Sequence, residues 1–324
     1  MITFNNVTKT FEDGTVAVDN VSFTVKTGNL VTLIGPSGCG KTTTMKMINK
    51  LIPLSSGEIT INGNNISNEN AVELRRNIGY VIQRIGLLPH MTIEENVSLV
   101  PKLKGWKKED YEKKVDDLLD MVGLDPHIFK KRYPLELSGG QQQRIGVIRA
   151  LAGDPPIILM DEPFSALDPI SREQLQDELK LIQKNIHKTI VFVTHDMDEA
   201  LKIADELIVM KAGSIEQIAS PRTLLENPVN DFVRSFIGED RVRQTLINKE
   251  ELQASAIMQP FFDEDSNNLF PTLFYQSSLQ KVAHTMLLKE AETIIMVDEN
   301  GLPKGKIEKN QLLQELAGLK RMVE

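Results

Sequence analysis

The chain predicts an α/β protein built on a parallel, doubly wound sheet, followed by a small α+β domain. Three observations predict it. Short apolar runs at 30–34, 157–160 and 189–193 alternate with stretches of helical periodicity, and strands that alternate with helices form parallel sheets. A glycine-rich loop, Gly35 to Gly40, joins the first run to a helix-like stretch at 41–51. Motif content then weakens beyond Gly238-Glu239-Asp240, where the tail from residue 250 carries twelve acidic residues against seven Lys or Arg. The expected domains are 1–238 and 239–324.

The elements follow in order. Ile2, Phe4, Val16, Val18, Val21, Phe23 and Val25 fall at near-alternate positions around the turn residues Asp13-Gly14, a strand pattern. Residues 30–34 form a continuous apolar strand that runs into the loop and a helix. Residues 85–152 read as mostly helical: Val115, Leu118, Leu119 and Val122 are spaced i, i+3, i+4, i+7 on one helix face. Pro134 is expected to end one helical run. After Pro155-Pro156 come the buried strand 157–160, an amphipathic helix carrying Leu175, Leu179, Ile182 and Ile186, and the strand 189–193. The tail reads as helix (278–286), strand (294–297), turn (298–301) and helix (309–316).

Composition narrows the function. The 324 residues are 41% hydrophobic and 25% charged, an ordinary globular balance. A net charge of −8 and 5% aromatic residues argue against a nucleic-acid partner, which would reward basic surfaces and stacking platforms. Cys39 is the sole cysteine, so no intrachain disulfide forms and a reducing compartment fits. The first residues show neither the basic nor the apolar region of an export signal. The longest apolar runs fall far short of the roughly 20 residues that span a bilayer. Any role at a membrane therefore calls for separate membrane-spanning subunits.

Gly35-Pro36-Ser37-Gly38-Cys39-Gly40-Lys41-Thr42 fits G-x-x-x-x-G-K-[ST], with a strand before and a helix after it. The glycines let backbone N–H groups close around phosphate oxygens, and the helix N-terminus adds positive potential. Lys41 is expected to reach the β- and γ-phosphates, and the Thr42 hydroxyl to bind Mg²⁺, with Thr43 next in the loop. The strand 157–160 ends in Asp161 and Glu162. Ligands of a parallel sheet sit beyond the carboxyl ends of its strands, so Asp161 is placed to hold Mg²⁺ and Glu162 to deprotonate an attacking water. A positioned base contributes roughly 10²–10⁴-fold. A strand followed by Asp-Glu is weak by itself, since such a pair is often a solvated loop; the upstream phosphate loop gives it weight.

Leu137-Ser138-Gly139-Gly140-Gln141 resembles the signature of the ATP-binding-cassette (ABC) ATPases at all five positions. It lies between the phosphate loop and the Asp161-Glu162 strand, as in that family. Gln83 matches the family's Q-loop glutamine, Ser165-Ala166-Leu167-Asp168 its D-loop and His195 its switch histidine. The resemblance covers about residues 1–237. It implies a P-loop ABC ATPase domain with a parallel-sheet core, an antiparallel β subdomain and a helical subdomain. It also implies ATP and Mg²⁺ as cofactors, Gln83 near the metal, and a head-to-tail homodimer in which Ser138, Gly139, Gly140 and Gln141 face the nucleotide of the partner. His195 would meet the γ-phosphate and Asp168 the dimer interface. Phe11 matches the position that stacks on adenine, where Tyr is more usual; core packing is the bland alternative. For Cys39, redox control is the less favoured reading.

Residues 78–97, Ile-Gly-Tyr-Val-Ile-Gln followed by Ile-Gly-Leu-Leu-Pro-His-Met-Thr, are similar to the ATPases of quaternary-amine osmoprotectant importers (glycine betaine, carnitine, choline). Arg84 departs from the glutamine expected there. The resemblance implies an integral membrane permease as partner, a substrate-binding protein acting indirectly, and a peripheral place on the cytoplasmic face of the membrane. The tail looks like one cystathionine-β-synthase (CBS)-type regulatory module. The 86 residues after Gly238 are too few for the usual pair, so it is a single module pairing with another chain, a degenerate pair, or a plain dimerisation appendage. A regulatory nucleotide there, near the basic cluster Lys304, Lys306 and Lys309, stays open. So do another importer (amino acid), an exporter, and a soluble ABC ATPase not tied to transport. The ATPase subunit does not touch the solute, which the sequence therefore leaves unnamed.

Overall fold

The computed structural model describes all residues except 83–85, 166, 187, 243–253, 262–269 and 322–324, together with a few side chains inside its two longest C-terminal-half helices. The chain divides into two compact units, Met1–Glu239 and Asp240–Glu324.

The strands of the first unit are β1 (Ile2–Thr10), β2 (Val16–Val25), β3 (Leu30–Ile34), β4 (Ser56–Ile61), β5 (Asn64–Asn65), β6 (Ile78–Val81), β7 (Ile157–Asp161), β8 (Thr189–Thr194), β9 (Glu206–Lys211) and β10 (Ser214–Ala219). Its helices are α1 (Lys41–Ile48), α2 (Ala71–Arg76), α3 (Ile93–Leu103), α4 (Lys108–Met121), α5 (Pro126–Phe129), α6 (Gly139–Ala152), α7 (Pro169–Ile186), α8 (Met197–Ile203), α9 (Pro221–Glu226) and α10 (Asp231–Ile237). A six-stranded sheet has the order β10-β9-β3-β8-β7-β6. All its neighbours run parallel except β10, which pairs antiparallel with β9 at one edge. A second, antiparallel sheet has the order β2-β1-β4-β5.

The apolar strands are continuous because both faces of the larger sheet are covered. Ile158, Met160, Ile190 and Phe192 join the core under α3, α4, α6 and α7. Their alternate neighbours, Leu159, Val191 and Val193, join a core with Ile2, Phe4 and Phe23 of the antiparallel sheet and Met45 and Ile48 of α1. Val115, Leu118, Leu119 and Val122 are all buried, as are Leu175 and Leu179; the side chains of Ile182 and Ile186 lie outside the described residues. Two expectations shift locally. Val16 is exposed, because β1 and β2 pair with register irregularities that break strict alternation. Pro134 does not close a helix: it opens the 3₁₀ turn Pro134–Glu136, at a position where its missing N–H costs nothing.

The second unit has a three-stranded sheet of Thr272–Phe274, Thr293–Val297 and Pro303–Glu308, with helices Ala254–Ile257, Leu279–Leu288 and Lys309–Arg321. Its own core includes Leu279, Val282, Met286, Ile294, Met296, Ile307 and Leu312. The expected order of helix, strand, turn and helix lacks two strands that are present. Pro303–Glu308 buries only Gly305 and Ile307 among exposed or half-buried neighbours, too thin a pattern to read, although the Asp298-to-Leu302 turn closes a hairpin onto it. Thr272–Phe274 has three residues.

Candidate functional site

The phosphate loop is shaped by contact with its neighbours. A Cβ at Gly35 would collide with the Met210 carbonyl and lie 2.7 Å from the Cys39 sulfur, and one at Gly40, where φ is +102°, would collide with the Ala17 carbonyl. Glycine is required at both places. The Cys39 carbonyl accepts from Gly213 N–H at 3.2 Å, so the β9–β10 turn braces the loop. Thr44, one turn into α1, is bound back through its hydroxyl to Gly40 O at 3.0 Å. Gly38 is left-handed, and Ser37 and Pro36 complete the exposed rim.

Lys41 is buried and its ammonium donates to Gly35 O at 2.8 Å and Pro36 O at 2.9 Å, with Cys39 Sγ 3.8 Å away. The charge is thus held inside the loop, which also closes on itself through the Cys39 N–H bond to Pro36 O at 3.3 Å. Cys39 itself is buried. The Thr42 hydroxyl donates to Asp161 Oδ1 at 2.9 Å, across a separation of 119 residues. Burial, aided by the Glu162 carboxylate, raises the Asp161 carboxyl above its ordinary value against the pull of the Thr42 hydrogen bond, Lys46 and Lys41. Two hard oxygen donors touch here. Among the described residues no cluster of three or more His, Cys, Asp or Glu forms a metal cage, so a magnesium ion at this point would keep water and phosphate oxygens as most of its ligands. Thr43 follows on α1, half-buried.

Beyond β7 the chain turns sharply. Glu162 has φ +44°, a left-handed conformation that costs a non-glycine residue about 1–3 kcal/mol. Its N–H is tied to Val193 O of β8 at 2.9 Å, and its carbonyl accepts from the Ser165 hydroxyl at 3.0 Å. This geometry holds Glu162 Oε1 3.3 Å from Nδ1 of His195, whose side chain is exposed. Carboxylate and imidazole therefore meet at the carboxyl ends of adjacent strands.

The signature loop is a helix start. Ser138 caps α6: its hydroxyl accepts from Gln141 N–H at 3.3 Å, and the Gln141 side chain accepts from Ser138 N–H at 3.0 Å. This reciprocal capping box presents Gly139 and Gly140 at the positive end of a helix. A hollow of about 290 Å³ beside it is lined by Ser138, Gly140, Gln141, Arg144 and Phe129, among others. Asp168 is exposed just ahead of α7. Phe11 sits in the β1–β2 turn, 39% exposed, with the Lys9 ammonium 5.1 Å from its ring centre. It is an exposed ring under a lysine, not core. Gln83 and Ala166 lie outside the described residues.

Three groups near these residues carry no motif. Tyr80, at the end of β6, has its hydroxyl pKa pushed far above the ordinary value by burial and by Asp161. Arg172 and Glu199 line a cavity of about 40 Å³ together with Glu162 and His195. Only the fold reveals them, because Tyr80 comes from β6, Arg172 from α7 and Glu199 from α8.

Comparison with known proteins decides the family. A family profile described as "ABC transporter" matches residues 18–165. The choline transport ATP-binding protein OpuBA of Bacillus subtilis is 48% identical over 308 residues, 95% of this chain and 78% of that protein. The chain belongs to the ATP-binding subunits of ABC transporters. The carnitine transport ATP-binding protein OpuCA of Listeria monocytogenes is 49% identical, over 96% of this chain and 76% of its own length. The iron(III) import ATP-binding protein FbpC of Brucella abortus is 46% identical but over only 74% of the chain and 67% of its own. An ATP-binding cassette solved as a dimer in a post-hydrolysis state with ADP and Pi is 36% identical, with a TM-score of 0.62, over 68% of this chain and 99% of its own. This ABC subunit is thus an ATPase, and among its described residues no helix is long and apolar enough to cross a membrane.

Proposed function

We propose that this chain is the ATP-hydrolysing subunit that drives import of a quaternary-amine osmoprotectant, such as glycine betaine, carnitine or choline, through a separate membrane permease. One observation carries the solute class. Relatives named for choline and carnitine transport match about 95% of the chain, tail included, at 48–49% identity. The iron-import relative reaches a similar identity but over only 241 residues. Likeness in the cassette alone therefore does not separate solutes; likeness that extends through the second unit does.

In the site reading, the phosphate loop from Gly35 to Thr43 holds the triphosphate, with Lys41 leaving its carbonyl partners for the β- and γ-phosphates. Phe11 stacks on adenine. Water attacks the γ-phosphorus, the bond to the bridging oxygen breaks, and ADP leaves with that electron pair. Glu162 takes the water's proton, and His195, 3.3 Å from it, steadies both carboxylate and γ-phosphate. Thr42, Asp161 and Gln83 would hold Mg²⁺, which supplies charge neutralisation on the phosphate oxygens. Two chains close head to tail, so that Ser138, Gly139, Gly140 and Gln141 of one meet the nucleotide of the other, with Asp168 at the seam. The complex sits on the cytoplasmic face of the membrane, a binding protein delivers solute to the permease, and the second unit is a single CBS-type regulatory module.

The test is reconstitution with a membrane permease subunit that co-purifies with it. Betaine, carnitine or choline should accelerate ATP hydrolysis and be taken up, whereas an amino acid or ferric ion should do neither. Stimulation by one of the latter alone would overturn the solute assignment.

A further inference from the structure

Helix α7 starts at Pro169, directly after Asp168, and sends two side chains one turn apart to the same neighbour. Arg172 and Gln176 are spaced i, i+4 and share a face. The Arg172 guanidinium donates through one nitrogen to Leu167 O at 3.1 Å and lies 3.5 Å from Asp196 Oδ2 through the other. Gln176, buried, donates to Glu199 Oε1 at 3.4 Å. Leu167 precedes Asp168, and Asp196 follows His195. Asp196 is itself fixed: its N–H donates to the Thr194 hydroxyl at 3.0 Å, and its other carboxylate oxygen caps α8 at Asp198 and Glu199 N–H. The Nε of Arg172 is buried without a hydrogen-bond partner. The side chain is therefore held at its tip, by the two loops, and not along its own helix.

We infer that Arg172 is a positioning residue for ATP hydrolysis, fixing the loop before Asp168 and the loop after His195 in one register. The inference rests on the proposed roles of those two residues. The planar guanidinium can satisfy a carbonyl and a carboxylate at once, which a lysine ammonium on a flexible stem does less well. The cavity of about 40 Å³ against Glu162 and His195 leaves His195 little other packing, and its side chain is 59% exposed. Its place thus depends on the backbone on either side. A catalytic group displaced by about 1 Å can lose about 100-fold in rate, whereas the phosphate loop, built from other elements, keeps its affinity for ATP.

The experiment uses the full chain and MgATP, measuring kcat, KM, ATP affinity and the thermal midpoint for Arg172→Met, Asp196→Asn and the double variant. Met keeps the apolar stem, and Asn keeps the α8 cap while losing the charge. Arg172→Met should lower kcat roughly 10–100-fold with KM and ATP affinity within about twofold. Asp196→Asn should lower kcat by a smaller factor and add nothing in the Arg172→Met background, because the two act as one contact. A kcat within twofold of wild type, losses that multiply in the double variant, or a fall in ATP affinity equal to the fall in kcat would each overturn the positioning role. If Met at 172 prevents folding, Asp196→Asn decides alone: unchanged kcat overturns the inference, and a loss of about threefold or more at unchanged ATP affinity supports it. A wild-type chain that hydrolyses no MgATP overturns the site reading and this inference together.

Discussion

The buried ammonium of Lys41 donates to two carbonyls of its own loop, so removing it frees those carbonyls and, on the proposed reading, loses a phosphate ligand at the same point. Lys41→Ala should depress both ATP binding and turnover, checked by nucleotide affinity beside phosphate release. Glu162→Gln separates the two. It keeps the size of the side chain at a left-handed position already fixed by the Val193 and Ser165 contacts, but removes the proposed base. Turnover should fall by at least ~100-fold with ATP still bound, and the ATP-loaded dimer should accumulate on size-exclusion chromatography; near-normal turnover would remove Glu162 from the base role. Glu199 makes a pH prediction. It is 5% exposed, and burial first, then the Asp196 carboxylate, raises its pKa to about 6, against the pull of Thr194, Gln176 and Arg172. The folded state holds this proton more tightly than the unfolded state does. The stabilisation is complete below pH about 4.5 and is lost as pH rises through about 6, roughly 2 kcal/mol in all. In denaturant titrations from pH 5 to 8, Glu199→Gln should lose that part of the slope and gain on wild type toward pH 8. A parallel pair of curves would mean that Glu199 ionises as freely in the folded chain as in the unfolded one.

At the start of α6 one motif has a structural role beside its proposed chemical one. Ser138 and Gln141 cap the helix reciprocally, so Ser138→Ala should cost about 1 kcal/mol of stability whatever its effect on hydrolysis. Ser138→Arg should block hydrolysis although the residue belongs to a loop distinct from the chain's own phosphate loop. Pairing a Ser138→Arg chain with a Lys41→Ala chain puts both lesions in one composite site and leaves the other whole. The mixed dimer should hydrolyse faster than either parent homodimer, and equal loss in all three would sink the trans arrangement. This double duty also explains what could be read in advance. Continuous apolar strands such as 157–160 and the loop from Gly35 to Thr42 were legible because a two-faced sheet and an anion-binding turn each demand a local pattern. Arg172, Gln176 and Glu199 were not, since their importance is a matter of α7 passing the start of α8. The strand Pro303–Glu308 escaped because Gly305 and Ile307 are its only buried positions. Lys304, Lys306 and Lys309 are a basic cluster in the sequence, and the fold gives each an acid: Asp298 at 3.4 Å, Glu308 at 3.9 Å and Glu292 at 2.8 Å.

At the scale of the molecule, the cassette ends where its last helix ends. Gly238 closes α10 with φ +100° and donates its N–H to Arg234 O at 3.2 Å, and the hydrophobic core of the second unit is composed of its own residues. Truncation after Gly238 should therefore leave a folded chain that binds ATP with unchanged affinity. The effect should appear in regulation. The second unit carries a net negative tail, three of whose lysines, Lys304, Lys306 and Lys309, are paired with carboxylates at partly or fully exposed positions. Exposed pairs of this kind are weak, about 0–1 kcal/mol each, and are screened by salt over about 10 Å at 0.1 M. A surface so balanced responds to ionic strength by loosening its pairs, which also frees the lysines for an anionic ligand. Either response alters transport only if it favours one conformation of the dimer over another. With the permease in vesicles, uptake by the full and truncated subunits should reach similar maximal rates but differ in dependence on salt, or on a cyclic dinucleotide added inside. A difference in the salt series alone would identify an ionic-strength sensor, and one that needs the dinucleotide a ligand-bound module. Superimposable curves under both conditions would reduce the second unit to a structural appendage.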